Sequence, residues 1–276
     1  MQPAHDNNLM VFSAFDHAMM SQALRLAKLG QYTVAPNPQV GCVITLDDQV
    51  IGQGQHQQAG TPHAEVNALA QVTALVQKGE LQQTQLAYAT AYVTLEPCSH
   101  TGRTGPCADA LINAGIGNVI VAMQDPFEHV AGRGIAKLKT AGINVKVGLL
   151  EAEARVINRH FLSIVERNRP FVTAKIATSL DGKIALANGV SQWITQASAR
   201  RDVQRHRAQY ACILTGSATV RTDDPLLNVR MTEAPDDVLE TLNLNPLAHF
   251  SQPLRAIIDS QSQLDDTYQI IGKATA

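Results

Sequence analysis

The chain has 276 residues, of which 45% are hydrophobic and 17% are charged. These values exclude an intrinsically disordered chain, and the length is sufficient for two domains that each bury a core. The 22 basic and 24 acidic residues leave a formal net charge of −2, which argues against a protein that attracts nucleic acid or anionic membranes through a strong overall field.

Neither an export signal nor a membrane span is expected. The N-terminal stretch MQPAHDNNLMVFSAFDH lacks the basic start and apolar run of a signal peptide. A transmembrane helix would need about 18 consecutive apolar residues, and the sequence contains no such run. Four cysteines are too few for a disulfide scaffold in a chain of this length. We therefore expect a cytoplasmic protein whose thiols are reduced and able to bind metal.

Strand and helix patterns alternate through the first 166 residues. The apolar spacing and the turn residues predict helices over 11–29, 62–77, 107–114, 135–140 and 151–165, and strands over 40–45, 50–54, 91–95, 119–123 and 145–149. Helices that follow strands in this order favour a central sheet covered on both faces, which is a three-layer α/β/α domain over 1–166.

A polar break at residues 166–170, ERNRP, marks the predicted domain boundary. The segment after it also mixes strand and helix patterns. We predict a strand over 171–178, a helix over 198–209, and strands over 212–215 and 255–259. The second domain is therefore predicted to be α/β and to cover residues 170–276.

Four residues of the first domain have the types and spacing of a catalytic zinc site. His63 and Cys107 each directly follow a proline at a predicted helix start, where Thr61 is the expected cap of the first helix, and Cys98 follows a buried strand. Zinc prefers nitrogen and thiolate ligands, and catalytic sites leave a fourth position for water. Glu65 lies two residues beyond a ligand, within reach of that water's proton.

Two other interpretations use the same residues. A histidine and two cysteines at helix starts are often core residues without a ligand. They also suit a structural Cys-Cys-His-His zinc site in which His100 is the fourth ligand. The combination of H-x-E, a strand-delivered P-C and a second cysteine favours the catalytic site, because this is the pattern of zinc deaminases that act on pyrimidine or purine rings.

The longer motifs around these residues resemble one family. Zinc deaminases usually carry C-x-x-C, whereas eight residues separate the two cysteines here. The sequence has PNPQVGCV at 36–43, HAE at 63–65 and PCSHTGRTGPC at 97–107. These motifs resemble the deaminase half of the bacterial bifunctional riboflavin-biosynthesis deaminase–reductases.

The resemblance implies a cytidine-deaminase-like domain that replaces the exocyclic C2 amine of a diaminopyrimidinone with oxygen. The implied substrate carries a phosphorylated ribosylamino group, and the implied cofactor is Zn²⁺. By position, Glu65 becomes the general acid and base and Asn37 contacts the ring. His100 and Arg103 lie in the loop between the cysteines, where an arginine suits the substrate phosphate; His56 is a further candidate for that contact.

The second domain resembles the start of the same family's reductase, which has a dihydrofolate-reductase-like fold. The matching stretches include RPFVTAKIATSLDGKIA at 169–185 and ILTGSATVRTDDPLLNVR at 213–230. The resemblance implies NADPH-dependent reduction of the ribose to a ribityl chain, with the C-terminal part of the domain expected to be missing and reductase activity therefore in question. It assigns the reduction to Lys175, nucleotide contacts to Ala177, Trp193, Thr219, Asp223 and Ser260, and substrate contacts to Ser191, Arg207, Leu227 and Arg230.

Alternatives remain open for both halves. The residues alone are compatible with a nucleoside or tRNA deaminase, or with a non-catalytic zinc-stabilised binding module. The arginines of the 198–209 helix also suit a solvated helix face, and a lone tryptophan is more often a core residue. The resemblance further implies a homo-oligomer that acts on a small molecule, without nucleic acid or a membrane as partner.

Overall fold

The structure is a computed structural model that describes residues 11–99, 105–127, 131–245 and 248–272. The chain divides into two compact units, Met1–Phe171 and Val172–Ala276. This division lies beside the polar break at which the sequence predicts a domain boundary.

A five-stranded mixed sheet forms the centre of the first unit. Its strands are β1 (Gly41–Leu46), β2 (Gln49–Gln55), β3 (Thr90–Val93), β4 (Asn118–Val121) and β5 (Asn144–Val147). The order is β2-β1-β3-β4-β5, in which β1 is antiparallel to both of its neighbours and β3, β4 and β5 are parallel. The carboxyl ends of the parallel strands therefore meet at one edge, where such sheets place their functional loops.

Helices cover both faces of this sheet. They are α1 (Ala14–Lys28), α2 (Ala64–Gln77), α3 (Cys107–Ala114), α4 (Arg133–Thr140), α5 (Glu151–Ile157) and α6 (Arg159–Arg167), with a 3₁₀ turn at Gln83–Tyr88. Alternate residues of β1 enter two cores: Cys42 and Ile44 pack with α2, α3 and α4, whereas Val43 packs with α1, α5 and α6. The predicted three-layer α/β/α architecture is confirmed.

Two predicted helix boundaries are wrong. The helix predicted over 151–165 is divided into α5 and α6 at Asn158. The buried Asn158 side chain accepts from the Gln39 backbone N–H at 2.7 Å and donates to the Gln39 carbonyl at 3.0 Å, which ties this helix junction to the loop before β1. The N-cap of α2 is His63 and not Thr61, whose hydroxyl instead donates to the Gln58 carbonyl at 2.8 Å.

Helix α2 lies unusually close to β2, and glycine makes this approach possible. A methyl group on Gly54 would lie 2.5 Å from the carbonyl oxygen of Ala64, and one on Gly52 would lie 2.5 Å from that of Ala68. Because any side chain at these positions would push the helix away, the two glycines hold the first turns of α2 against the sheet.

The second unit contains a parallel pair of strands with several helices. The elements are α7 (Ala197–Gln209), β6 (Cys212–Gly216), α8 (Ser217–Asp223), α9 (Asp236–Asn243), β7 (Leu254–Ile258) and α10 (Gln269–Gly272), with a 3₁₀ turn at Met231–Glu233. The predicted helix and the two later strands are confirmed. Arg201 and Arg205 of α7 pair with Asp236 and Asp237 at the start of α9.

The predicted strand over 171–178 is wrong, because residues 170–179 form no regular element. Val172 and Ile176 are 81% and 70% exposed, so the β-branched residues that suggested a strand have no core to enter. A strand also needs a neighbour for its backbone hydrogen bonds, and among the described residues of this unit only β6 and β7 pair. Both units nevertheless have the predicted mixed α/β architecture.

No helix within the described ranges combines the length and the apolar character that a membrane crossing requires.

Candidate metal centre and active site

Three predicted ligands converge at one edge of the five-stranded sheet. The ligand atoms of His63, Cys98 and Cys107 all lie within 4.8 Å of one another. The His63 Nδ1 is 3.2 Å from the Cys107 Sγ and 3.7 Å from the Cys98 Sγ. The three side chains come from two helix starts and from the turn that follows β3, so the tertiary fold creates the cluster.

Local structure explains why each ligand points to the same place. His63 is the N-cap of α2, and Cys107 is the first residue of α3, after Pro106. The Cys107 backbone N–H donates to the Cys98 Sγ at 3.3 Å. Partial positive charge at the start of α3, where this N–H meets the Cys98 sulfur, favours thiolate over thiol at Cys98.

The donor set fits zinc. Zinc–nitrogen and zinc–sulfur bonds of about 2.0–2.3 Å place the ligand atoms of a tetrahedral site about 3.5–3.8 Å apart. The separations of 3.2 and 3.7 Å between the His63 nitrogen and the two sulfurs are close to this spacing. Two thiolates and one imidazole form a three-ligand set that leaves one tetrahedral position for water, as catalytic zinc sites do.

The pKa values of the two cysteines are shifted in opposite directions. Hydrogen bonding from Cys107 and His63 lowers the pKa of Cys98 to about 4 despite its burial. The same interaction raises the pKa of Cys107, because its thiol proton is held by the Cys98 thiolate and its surroundings are buried. Metal ligation requires thiolates, so zinc binding would displace the proton that the cysteines share.

Glu65 lies in the first turn of α2, two residues after the His63 ligand. Its side chain is 3% exposed, and burial raises its pKa to about 6, with the Cys98 charge adding to the rise. A carboxyl group with a pKa near the working pH can both accept and return a proton. The predicted position of Glu65 beside the ligands is therefore matched by suitable acidity.

His56 and Asn37 form a buried extension of the ligand cluster. The His56 Nδ1 is 3.2 Å from the Pro62 carbonyl oxygen, and its Nε2 is 3.0 Å from the Asn37 Nδ2. Since a carbonyl only accepts, Nδ1 carries the proton and Nε2 accepts from the Asn37 amide. The His56 ring packs edge-on against the His63 ring, with centroids 5.3 Å apart. Burial lowers the pKa of His56, which favours this neutral form.

The burial and hydrogen bonds of His56 bear on its predicted contact with the substrate phosphate. Its side chain is 3% exposed, and both ring nitrogens have protein partners, which suits orientation of Asn37 better than direct binding of a phosphate. His100 and Arg103, the other predicted phosphate contacts, lie outside the described residues.

The predicted reductase residues lie on several elements of the second unit. Lys175 and Ala177 belong to the irregular segment before α7, and Lys175 is exposed. Trp193 is 70% exposed, and the guanidinium of Arg200 lies 4.4 Å from its ring centroid. Three further predicted nucleotide contacts are exposed on α8 or after β7: Thr219, Asp223 and Ser260.

Three of the predicted substrate contacts lie near one another in the structure. Arg207 of α7 donates to the Asn228 carbonyl at 2.9 Å, which places it beside Leu227 and near Arg230. Burial and the nearby charge of Arg230 lower the pKa of Arg207. Within the described ranges, hydrogen bonds do not join Ser191 to this cluster. The assignments in this unit therefore stay predictions.

Two supporting side chains were missed by reasoning from sequence. Glu96 accepts backbone hydrogen bonds at the start of α4, and Asn158 holds the loop that carries Asn37. The sequence did contain a signal for Glu96, because this carboxylate directly follows a predicted buried strand and directly precedes the ligand-bearing Pro-Cys turn. No comparable local signal exists for Asn158, because its partner Gln39 is 119 residues away.

Two family models match the chain. The cytidine and deoxycytidylate deaminase zinc-binding region matches residues 13–123, and the RibD C-terminal domain matches residues 170–276. The first match contains all three ligands and Glu65, and the second covers the whole of the second unit.

Curated relatives and solved structures agree with these matches. The riboflavin biosynthesis protein RibD of Escherichia coli K12 is 49% identical over 256 residues, covering 93% of this chain and 66% of the relative. The Haemophilus influenzae RibD is 47% identical over 262 residues, covering 95% and 67%. The chain thus spans about two thirds of the length of these relatives.

Among solved structures, Acinetobacter baumannii RibD aligns with a TM-score of 0.81 at 46% identity, covering 94% of this chain and 67% of that one. A Thermotoga maritima diaminohydroxyphosphoribosylaminopyrimidine deaminase/5-amino-6-(5-phosphoribosylamino)uracil reductase aligns with a TM-score of 0.78 at 37% identity, covering 91% and 65%. The metal cluster, the matched domains and these similarities together establish that this chain belongs to the RibD family of riboflavin biosynthesis proteins.

Proposed function

We propose that the Met1–Phe171 unit is a zinc-dependent hydrolytic deaminase of riboflavin biosynthesis. The observation that carries this proposal is the convergence of His63, Cys98 and Cys107 beside the buried carboxyl group of Glu65. A purely structural zinc site would need a fourth protein ligand and would have no use for a carboxyl group whose pKa is raised to about 6.

His63, Cys98 and Cys107 would hold the zinc ion. When bound, zinc lowers the pKa of its water so that hydroxide is available near neutral pH. Glu65 would accept a proton from the attacking water and return it to the departing amine, so that the ring gains oxygen and ammonia leaves. Asn37, oriented by His56, directs its Oδ1 away from the imidazole and can accept a hydrogen bond from the pyrimidine ring.

The proposed substrate is a diaminopyrimidinone that carries a phosphorylated ribosylamino group. The name of the Thermotoga maritima relative states deamination of such a compound. His100 and Arg103, within the motif PCSHTGRTGPC, are the proposed phosphate contacts. A nucleoside or tRNA deaminase would not need this basic eight-residue loop between its cysteines.

The residues 170–276 are proposed to contribute NADPH-dependent reduction of the ribose to a ribityl chain. The match to the RibD C-terminal domain supports this proposal, with Lys175 serving the reduction and Arg207, Leu227 and Arg230 contacting the substrate. Titration of the full chain with NADPH, followed by fluorescence or calorimetry, tests it. Saturable binding supports a nucleotide site in this chain, and the absence of binding would contradict one.

The E65Q variant tests the deaminase proposal. Gln has the shape of Glu but cannot accept the proton, so we expect zinc content to be retained and ammonia release to fall by roughly 10²–10⁴-fold. Unchanged turnover would contradict the proposed role of Glu65. Loss of zinc together with activity would instead identify Glu65 as part of the metal site.

We also propose that the protein acts in the cytoplasm as a homo-oligomer on this small-molecule substrate. Sedimentation of the purified chain tests the assembly: a single species of 29.7 kDa at micromolar concentration would contradict it.

A further inference from the structure

A buried carboxylate lies directly before the Pro-Cys turn and takes no part in the proposed chemistry. Glu96 is 4% exposed. Its Oε1 accepts from the backbone N–H groups of Gly134 at 2.8 Å and Ile135 at 3.1 Å. Its Oε2 accepts from those of Gly132 at 2.9 Å and Asp125 at 3.2 Å. One side chain therefore satisfies four backbone donors.

Three of these donors belong to the start of α4. The first N–H groups of a helix have no partner within the helix, and the N-cap of α4 is Gly132, which has no side chain to offer. Glu96 supplies the missing acceptor from a different segment of the chain. Its negative charge also lies at the positive end of the helix dipole, which strengthens the attachment.

The same contact fixes the turn that carries a zinc ligand. Pro97 alone separates Glu96 from Cys98, and a methyl group on Gly134 would lie 1.9 Å from the Pro97 carbonyl oxygen. The turn is thus pressed against α4 on one side. On the other side, the Cys107 backbone N–H donates to the Cys98 sulfur at 3.3 Å. Cys98 is held between two helix N-termini.

The geometry points to Glu96 as a positioning residue for the zinc ligand Cys98. By binding the start of α4 with both oxygens, Glu96 fixes the direction in which the Pro97–Cys98 turn presents its thiolate. This inference rests on the zinc centre proposed above. Gln in place of Glu96 would present an amide NH₂ to two backbone donors, because only one of its head-group atoms accepts hydrogen bonds.

The test compares the full-length wild type with E96Q and with a matched surface control, E80Q, since Glu80 is exposed. Zinc affinity is measured by competition with a chelator, and the ligand geometry by the absorption bands of the cobalt(II)-substituted protein. We expect E96Q to bind zinc 10–100-fold more weakly, as when other residues that orient metal ligands are replaced, and to shift the cobalt bands. We expect E80Q to match the wild type.

A folded E96Q protein with wild-type zinc affinity and cobalt spectrum would overturn the inference, even if its melting temperature were lower. A wild type that binds no zinc would instead overturn the proposed metal centre itself. The E96D variant keeps the charge but is one methylene shorter, so we expect an intermediate loss of zinc affinity. If E96Q does not fold, the E96D variant tests the inference in its place. Unchanged zinc affinity in E96D would then contradict the positioning role.

Discussion

At the residue scale, the candidate metal centre depends on a few side chains whose properties come from burial. The ligand types and their spacing predicted His63, Cys98 and Cys107 as one cluster, and the structure brings them together. Their hydrogen bonds and shifted proton affinities could not be predicted, because these depend on distances between segments far apart in the chain. His56 illustrates the difference: its sequence position suggested a substrate contact, whereas its surroundings suit the orientation of Asn37.

The raised pKa of Glu65 has a consequence for stability after zinc is removed. Burial raises its pKa from 4.5 to about 6, so the folded state binds the proton more tightly than the unfolded state. The resulting stabilisation is fully present below pH 4.5 and is lost as the pH rises through about 6. A shift of this size corresponds to about 2 kcal/mol of unfolding free energy.

We therefore expect the chelator-treated wild type to lose about 2 kcal/mol more than E65Q between pH 4.5 and pH 7. Urea unfolding of both proteins across this range measures the difference. E65Q is the appropriate control because it removes the titrating group and keeps its shape. Parallel pH profiles for the two proteins would contradict a raised pKa at Glu65.

At the element scale, the strands and helices of the first unit follow their sequence patterns, while the exact helix starts do not. The sequence predicts that Pro62 lies in the first turn of α2, but the helix begins after His63, which is the N-cap. The strand predicted over 171–178 does not form for a different reason. Its β-branched residues are a local signal, whereas a strand requires partners supplied by the rest of the fold.

Tyr92 links β3 to the start of α1. Its hydroxyl donates to the Asp16 carboxylate at 2.8 Å, and the other oxygen of Asp16 accepts from the Ser13 backbone N–H that begins α1. Hydrogen bonds to charged groups contribute about 1.5–3 kcal/mol, so we expect Y92F to destabilise the protein by about 1–2 kcal/mol. Y88F serves as the control, because Tyr88 is 79% exposed. Equal urea midpoints for the two variants would contradict this role.

The close approach of α2 to β2 gives a second prediction at this scale. A methyl group in G54A would lie 2.5 Å from the Ala64 carbonyl oxygen and would displace the helix start that carries His63 and Glu65. Strain of this kind in a packed interior costs about 1–3 kcal/mol. We expect G54A to lower both the unfolding free energy and the zinc affinity, measured by urea unfolding and by chelator competition.

The G105A variant is the control for this substitution, since a methyl group on Gly105 would meet no atom within 4 Å. It should match the wild type in unfolding free energy. If G54A were as stable as G105A and bound zinc equally well, the close packing of α2 would not be required for the metal centre.

At the scale of the whole molecule, the two units support their proposed functions unequally. The first unit combines a three-layer fold with a complete set of predicted zinc ligands and the buried carboxyl group of Glu65. In the second unit the motif matches are clear, and the structure joins one predicted site residue of α7, Arg207, to the loop that carries Leu227 and Arg230. Short motifs predict family membership well, whereas assembly of a cofactor site depends on the packing of several elements at once.

The most direct test of the central claim is ammonia release from the phosphorylated ribosylamino diaminopyrimidinone, assayed with the zinc-loaded chain and after chelation. We expect steady deamination by the zinc-loaded wild type, loss of that activity on chelation, recovery when zinc is restored, and little activity from zinc-loaded E65Q. Ammonia release that persists without zinc, or that E65Q sustains at the wild-type rate, would contradict the assignment of His63, Cys98, Cys107 and Glu65 as a deaminase centre.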